Sequence, residues 1–87
     1  MTSPKKSAFP HIEALIDDGE VTVGIIRPVG CVAVANDGHN ALAMLRRHPG
    51  ESLMDLLQRL DAAIEKAVEQ DIYTDEINPP APGKRSR

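Results

Sequence analysis

The sequence predicts one small α+β domain: a short N-terminal helix, an antiparallel β-hairpin and two packed antiparallel helices, with disordered tails. Two patterns indicate this class. Residues 20–36 alternate β-branched side chains with smaller ones on both sides of a turn signal, which is typical of a hairpin. Residues 37–71 carry apolar side chains at helical period, with one interruption by proline and glycine. With 87 residues, the chain has room for a single domain.

The ends of the chain favour disorder because they are rich in proline, lysine and arginine. Residues 1–8 and 79–87 hold too little apolar surface to offset the entropy lost on ordering, so the domain is expected to span residues 9–78. At its start, Pro10 suits the first turn of a helix, and apolar residues follow at helical spacing. A short helix is therefore expected before Gly19.

The hairpin prediction rests on two alternating runs. Val21, Val23 and Ile25 occupy every second position of the first run. The stretch Arg-Pro-Val-Gly at 27–30 fits a type I turn, with proline second and glycine last. A two-stranded ribbon is marginal by itself, so helices or a second copy of the chain must cover one face. Its edges are either open to a partner strand or covered by residues 72–77.

Two helices are predicted after the hairpin. The first spans residues 37–47, where Ala, Leu and Met side chains gather on one side, and the Pro-Gly pair at 49–50 ends it. The second opens at Ser52, which with Asp55 resembles a capping box, and it continues along a broad apolar arc to about Asp71. The short link between the helices predicts an antiparallel pair.

The charges of the chain are unevenly distributed. All thirteen acidic residues lie between Glu13 and Glu76, whereas five of the ten basic residues lie in the tails. The predicted domain therefore carries five basic and thirteen acidic residues, a net charge of −8. Such a body repels phosphate backbones, so we expect no nucleic-acid binding through it.

A line of acidic residues follows the second predicted helix and continues beyond it. The members of this predicted partner-binding set are Asp61, Glu65, Glu69, Asp71, Asp75 and Glu76. One interpretation is a docking surface for a basic protein partner. The other is a solvated face that aids solubility, as exposed runs of charge commonly do. The sequence leaves both interpretations open.

Residues that could carry catalysis or bind a metal do not fall into a known spacing. His11, Cys31, His39 and His48 lack the close pairs of a zinc site. There is no nucleophile elbow, no phosphate-binding glycine loop and no H-E-x-x-H motif. A small buried apolar role suits Cys31 better than a catalytic one. We therefore expect no enzymatic activity, no metal and no other cofactor.

We expect neither a signal peptide nor a membrane-spanning segment. The N-terminus has no apolar signal core, and no stretch approaches the ~20 apolar residues of a membrane-spanning helix. The single cysteine excludes an internal disulfide. We expect a cytoplasmic protein without membrane association.

Two short runs carry a family resemblance. Pro-Val-Gly-Cys-Val at 28–32 and Gly-Glu-Ser-Leu-Met-Asp-Leu-Leu at 50–57 resemble HicB-type antitoxins, in which a short sheet is followed by a helix. The runs consist of turn and capping residues, they cover a minority of the chain, and a predicted helix over residues 37–47 lies between them. The resemblance implies a regulator whose acidic body neutralises a basic protein while another surface contacts DNA. It assigns no role to any single residue.

The function expected from these observations is a non-enzymatic protein–protein interaction or regulatory module. An aliphatic core with one phenylalanine and one tyrosine supplies modest stability, and self-association is an ordinary remedy, so a homodimer fits as well as a different protein partner. The alternatives are an antitoxin-like, nucleic-acid-linked regulator and, third, a small enzyme or metal protein that uses Cys31 and the histidines.

Overall fold

The computed structural model describes residues 8–78. Its elements in chain order are α1 (Pro10–Leu15), β1 (Glu20–Ile26), β2 (Gly30–Asn36), β3 (Ala41–Arg46), α2 (Leu53–Gln70) and β4 (Thr74–Asp75). The predicted tails, residues 1–8 and 79–87, lie outside the described residues except for Ala8. Neither described helix combines the length and the apolar composition that a membrane crossing requires.

The four strands form one mixed sheet in the order β1-β2-β3-β4. The first three strands are antiparallel neighbours, whereas β4 runs parallel to β3. Helix α2 packs across β2 and β3, and α1 packs against α2. The buried aliphatic core lies between the sheet and α2: Ala33, Ala35, Leu42, Ala43, Leu45, Leu56, Leu60, Ala63, Ile64 and Ala67.

The strand register decides which face of β1 points toward the helices. Val21 lies opposite Ala35 and Val23 lies opposite Ala33, and both alanines belong to the buried core. Directly opposed residues of antiparallel strands point to the same face, so the odd-numbered residues of β1 face the helices. Because α2 covers β2 and β3 rather than β1, Val23 is still 39% exposed and Ile25 is 62% exposed.

The predicted pair of packed helices after the hairpin is wrong. Residues 37–47 do not form a helix: they contain a turn and strand β3. In the turn, Oδ1 of Asp37 accepts hydrogen bonds from the backbone N–H groups of His39 and Asn40, both at 2.8 Å. Gly38 has φ +95°, a conformation that glycine adopts without steric cost. These contacts reverse the chain, so β3 returns along β2.

Packing against α2 explains why this segment is extended in spite of its composition. Alanine, leucine and methionine favour helices, but propensity is a weak determinant that tertiary contacts override. As a strand, the segment places Ala43 and Leu45 in the core beneath α2. Without β3, the sheet would offer α2 only β2 and the edge strand β1, whereas the observed sheet places β2 and β3 side by side beneath the helix. The observed class is therefore a mixed sheet covered by one long helix.

The other elements lie close to their predicted positions. The β1–β2 hairpin coincides with the alternating runs, and α2 begins directly after Ser52. The Oγ of Ser52 accepts a hydrogen bond at 3.0 Å from the backbone N–H of Asp55, which caps the helix. At the other end, Asp71 adopts the left-handed conformation with φ 56° and stops the helix. The chain then returns to the sheet, where the N–H of Glu76 donates to the carbonyl of Met44 at 2.7 Å.

Candidate interaction surface

Strand β1 forms one edge of the sheet. It pairs with β2 along all seven of its residues, and within residues 8–78 no strand pairs with its other side. Its apolar side chains are only partly covered: Val23 is 39% exposed, Ile26 is 43% exposed and Ile25 is 62% exposed. An edge of this kind offers unpaired backbone N–H and C=O groups next to apolar side chains. β1 is therefore able to accept another strand.

The opposite edge of the sheet is protected. The residues between α2 and Asn78 fold back on β3, where Thr74 pairs with Ala43 and Asp75 with Met44. The Oδ1 atom of Asp75 also accepts from the backbone N–H of Ile77 at 2.9 Å, which fixes the turn that follows. The alternative in which residues 72–77 cover an edge of the β1–β2 hairpin is thus not found as it was expected: β3 covers the hairpin at β2, and β4 covers β3. The edge at β1 stays open within the described residues.

Asp61, the first residue of the predicted partner-binding set, is buried and forms hydrogen bonds within the domain. It is 9% exposed. Its Oδ1 accepts hydrogen bonds from the backbone N–H groups of His11 at 2.8 Å and Ile12 at 2.9 Å, and its Oδ2 lies 3.0 Å from Nδ1 of His11. The first backbone N–H groups of a helix have no partner within the helix. Asp61 therefore caps α1 from α2 and attaches the two helices to each other.

Glu65 and Glu69 lie one and two turns further along α2 and face the same histidine. One ligand atom each from His11, Glu65 and Glu69 lie within 4.8 Å of one another. The pKa of His11 is raised, first by the hydrogen bond to Asp61 and also by the charges of both glutamates. We call His11, Asp61, Glu65 and Glu69 the His11 cluster.

Glu76, another member of the predicted set, belongs to a different group of charges. Its Oε2 accepts from Nη1 of Arg59 at 2.9 Å, and the same guanidinium donates twice to Glu51, at 2.7 and 3.0 Å. Nη2 of Arg59 also reaches the carbonyl of Arg46 at 3.0 Å. Hydrogen bonding to Arg59 lowers the pKa of Glu51 to about 2. We call Arg59, Glu51 and Glu76 the Arg59 cluster; it ties α2 to the ends of β3 and β4.

The acidic residues predicted to bind a partner thus separate into distinct groups. The structure brings three of them together around His11, places Glu76 with Arg59, and leaves Asp71 at the C-terminal end of α2 and Asp75 in β4. Their role in docking stays a prediction. Sequence reasoning missed His11 as the residue that gathers them, because 50 positions separate it from Asp61. The four-residue spacing of Glu65 and Glu69 does predict from the sequence that these two side chains lie on the same face of the helix.

The residues first considered as metal ligands do not assemble as a set. In the part of the chain that the structure describes, no three of His11, Cys31, His39 and His48 form a group of potential ligands. Cys31 is partly buried at the start of β2 and lines an open groove together with His48 and the segment up to Ser52.

No protein-family model, curated protein or solved structure matches this chain.

Proposed function

We propose that this chain is a non-enzymatic protein–protein interaction module and that it pairs with a second copy of itself through β1. The supporting observation is a seven-residue edge strand that carries exposed apolar side chains. Natural edge strands usually carry central charges, prolines or bulges, or are very short, which discourages pairing with another chain. β4 fits this description, since it has two residues. Between Val21 and Ile26, β1 has neither charge nor proline.

The charges at the two ends of β1 favour a second copy as the occupant. The strand starts with Glu20 and is followed directly by Arg27. When two copies run antiparallel, the end of β1 that starts with Glu20 lies beside the end of the partner strand that leads into Arg27, with the two side chains on opposite faces of the joined sheet. A parallel pairing would instead place like charges side by side at both ends. The charged ends thus favour the antiparallel orientation.

The side chains also match in this arrangement. Pairing symmetric about Val23 places Val21 of one copy opposite Ile25 of the other. All odd-numbered residues of both strands then lie on the face that carries the helices, so the two sheets join into one continuous sheet. The exposed surface of Ile25 becomes buried between the copies, which supplies hydrophobic stabilisation.

Sedimentation velocity on the full-length chain tests this proposal, with Ile25→Lys as the interface variant. Val68→Lys is a matched control, because Val68 is 62% exposed, as Ile25 is, but lies on α2. We expect the wild type and Val68→Lys to sediment with twice the chain mass, and Ile25→Lys to sediment as a monomer. A wild type that stays monomeric at high concentration contradicts the proposal, as does a monomeric Val68→Lys beside a dimeric Ile25→Lys.

A second candidate function is a regulator of the antitoxin type. One structural observation favours it: the segment between the two runs that resemble HicB-type antitoxins is strand β3 rather than a helix. The sheet therefore leads directly into α2, as the resemblance implies. The partner in this case is a basic protein, and Glu65, Glu69 and Asp71 are the members of the predicted set at the surface of α2 and its end.

A native pull-down from cells that express the chain, with bound protein and nucleic acid both identified, tests this candidate. We expect one stoichiometric basic protein, retained by Ile25→Lys and lost in the double variant Glu65→Lys/Glu69→Lys. Bait that is recovered alone, or a partner that the double variant retains, argues against this function.

A further inference from the structure

We propose that His11, Glu65 and Glu69 form a binding site for a divalent metal ion and that this ion is Zn²⁺. The three side chains come from two helices and place one ligand atom each within 4.8 Å of one another. The inference goes beyond the proposed pairing through β1 and does not depend on it, because the site lies on the side of α2 where α1 packs.

The donor set suits zinc. Zn²⁺ binds imidazole nitrogen and carboxylate oxygen at about 2.0–2.2 Å, so the donors of a tetrahedral site are roughly 3.3 Å apart. Contraction from separations within 4.8 Å needs only rotation of side-chain torsions, since Glu65 and Glu69 project from adjacent turns of one helix. A mixed nitrogen and oxygen set also favours zinc over calcium and magnesium, which prefer oxygen ligands alone.

Asp61 supplies the support that metal-binding histidines usually have. Its Oδ2 lies 3.0 Å from Nδ1 of His11. A proton on Nδ1 that is donated to this carboxylate leaves Nε2 as the ring nitrogen with a free lone pair. Metal-ligating histidines almost always donate their second ring nitrogen to a carboxylate, carbonyl or water, which orients the ring and raises its basicity. Asp61 is itself held by two backbone N–H groups of α1, so the orientation of the ring is fixed before any ion arrives.

The groups around His11 carry an excess of negative charge, which attracts a cation. Three carboxylates, from Asp61, Glu65 and Glu69, act on one imidazole. Within residues 8–78, neither Glu65 nor Glu69 forms an ion pair with a lysine or arginine. Even a protonated His11 offsets one negative charge of three. A divalent ion that replaces the proton neutralises the remainder more completely.

Three protein ligands leave the fourth position of a tetrahedral zinc ion to water. The site is consequently an open one. It joins α1 to α2 at a second point beside the Asp61 contacts, so bound metal should also stabilise the folded chain by mass action.

Isothermal titration calorimetry on the tag-free full-length chain, stripped with a chelator, tests the proposal with ZnCl₂ as the probe. We expect saturable binding of one Zn²⁺ per chain. Glu65→Gln and Glu69→Gln should each weaken binding by about tenfold or more, as removal of a ligand or its support does in known sites. Glu13→Gln and His39→Ala remove an exposed carboxylate and an exposed histidine outside the group, and they should bind as the wild type does.

The glutamine variants keep the test decisive if His11→Ala loosens α1, because neither Glu65 nor Glu69 has a hydrogen bond or ion pair to lose within the described residues. Circular dichroism on each variant verifies the fold. A wild type that shows no saturable Zn²⁺ binding overturns the proposal. It is equally overturned if the glutamine variants retain wild-type affinity or if His39→Ala weakens binding as much as they do.

Discussion

Two polar clusters hold α2 in place, and they differ in how far their charges are satisfied. In the Arg59 cluster one guanidinium donates to two carboxylates and a carbonyl, and the side chain of Glu51 is 8% exposed. In the His11 cluster only Asp61 is fully engaged, whereas within residues 8–78 neither Glu65 nor Glu69 forms an ion pair with a lysine or arginine.

The difference separates a structural role from a binding role along one helix. Arginine is always protonated and presents its donors in a rigid fork, so the Arg59 cluster is complete without any further ligand. Histidine offers two nitrogens, one of which Asp61 already uses. The His11 cluster therefore anchors α1 through its buried carboxylate and keeps two carboxylates available.

Loss of the Asp61 carboxylate should have the largest effect on stability. Asp61→Ala removes the acceptor for two backbone N–H groups and one imidazole, and the N-terminus of α1 is then left without its cap. We expect a loss of about 3 kcal/mol in the free energy of unfolding, measured by urea denaturation. Glu65→Gln on the next turn is the matched control and should change the free energy of unfolding by less than about 0.5 kcal/mol. If both variants lose the same free energy of unfolding, the Asp61 carboxylate does not attach α1 to α2.

Removal of the guanidinium should have the next largest effect. Arg59→Ala leaves Glu51 and Glu76 without their shared partner and detaches α2 from the ends of β3 and β4. We expect a loss of about 2 kcal/mol in the free energy of unfolding, because the pairs are charge-assisted but partly solvated. Arg46→Ala serves as the control, since the side chain of Arg46 is exposed and only its backbone takes part in the cluster. If Arg59→Ala lowers the free energy of unfolding no more than Arg46→Ala does, the guanidinium does not help to keep β4 on the sheet.

The part of the fold that could be predicted from the sequence is the part encoded by local pattern. The β1–β2 hairpin follows from alternation, and the start of α2 follows from Ser52 as a cap. Strand β3 was misassigned because Ala41–Arg46 favours a helix by composition. The competing signal, Asp37-Gly38 between two runs of apolar residues, is typical of a hairpin turn and was present in the sequence. Tertiary pairing with β2 decided between the two.

The clusters themselves could be predicted only in part. The glutamates of the His11 cluster are visible as a four-residue spacing on α2, but nothing local indicates that α1 folds back to place His11 beside them. In the Arg59 cluster, Arg59 bonds Glu76 from 17 positions away. Glu76 follows strand β4, which at two residues is too short for alternation to reveal. Contacts of this kind depend on how the sheet and helices assemble, and a single sequence does not contain that information in any local window.

The smallest predicted effect is a pH dependence that belongs to the Arg59 cluster. Arg59 lowers the pKa of Glu51 from 4.5 to about 2. A carboxyl whose pKa is depressed in the folded state stabilises the fold above its unfolded pKa, and this contribution disappears as the pH falls from about 4.5 through 2. We therefore expect Glu51→Gln to lose less stability than the wild type on acidification through this range, measured as thermal unfolding midpoints. Glu13→Gln, which alters an exposed carboxyl on α1, should keep the wild-type slope. If the unfolding midpoint of Glu51→Gln depends on pH as that of the wild type does, the charge of Glu51 does not stabilise the packing of α2. The Arg59 cluster would then not be the charge-stabilised counterpart of the His11 cluster.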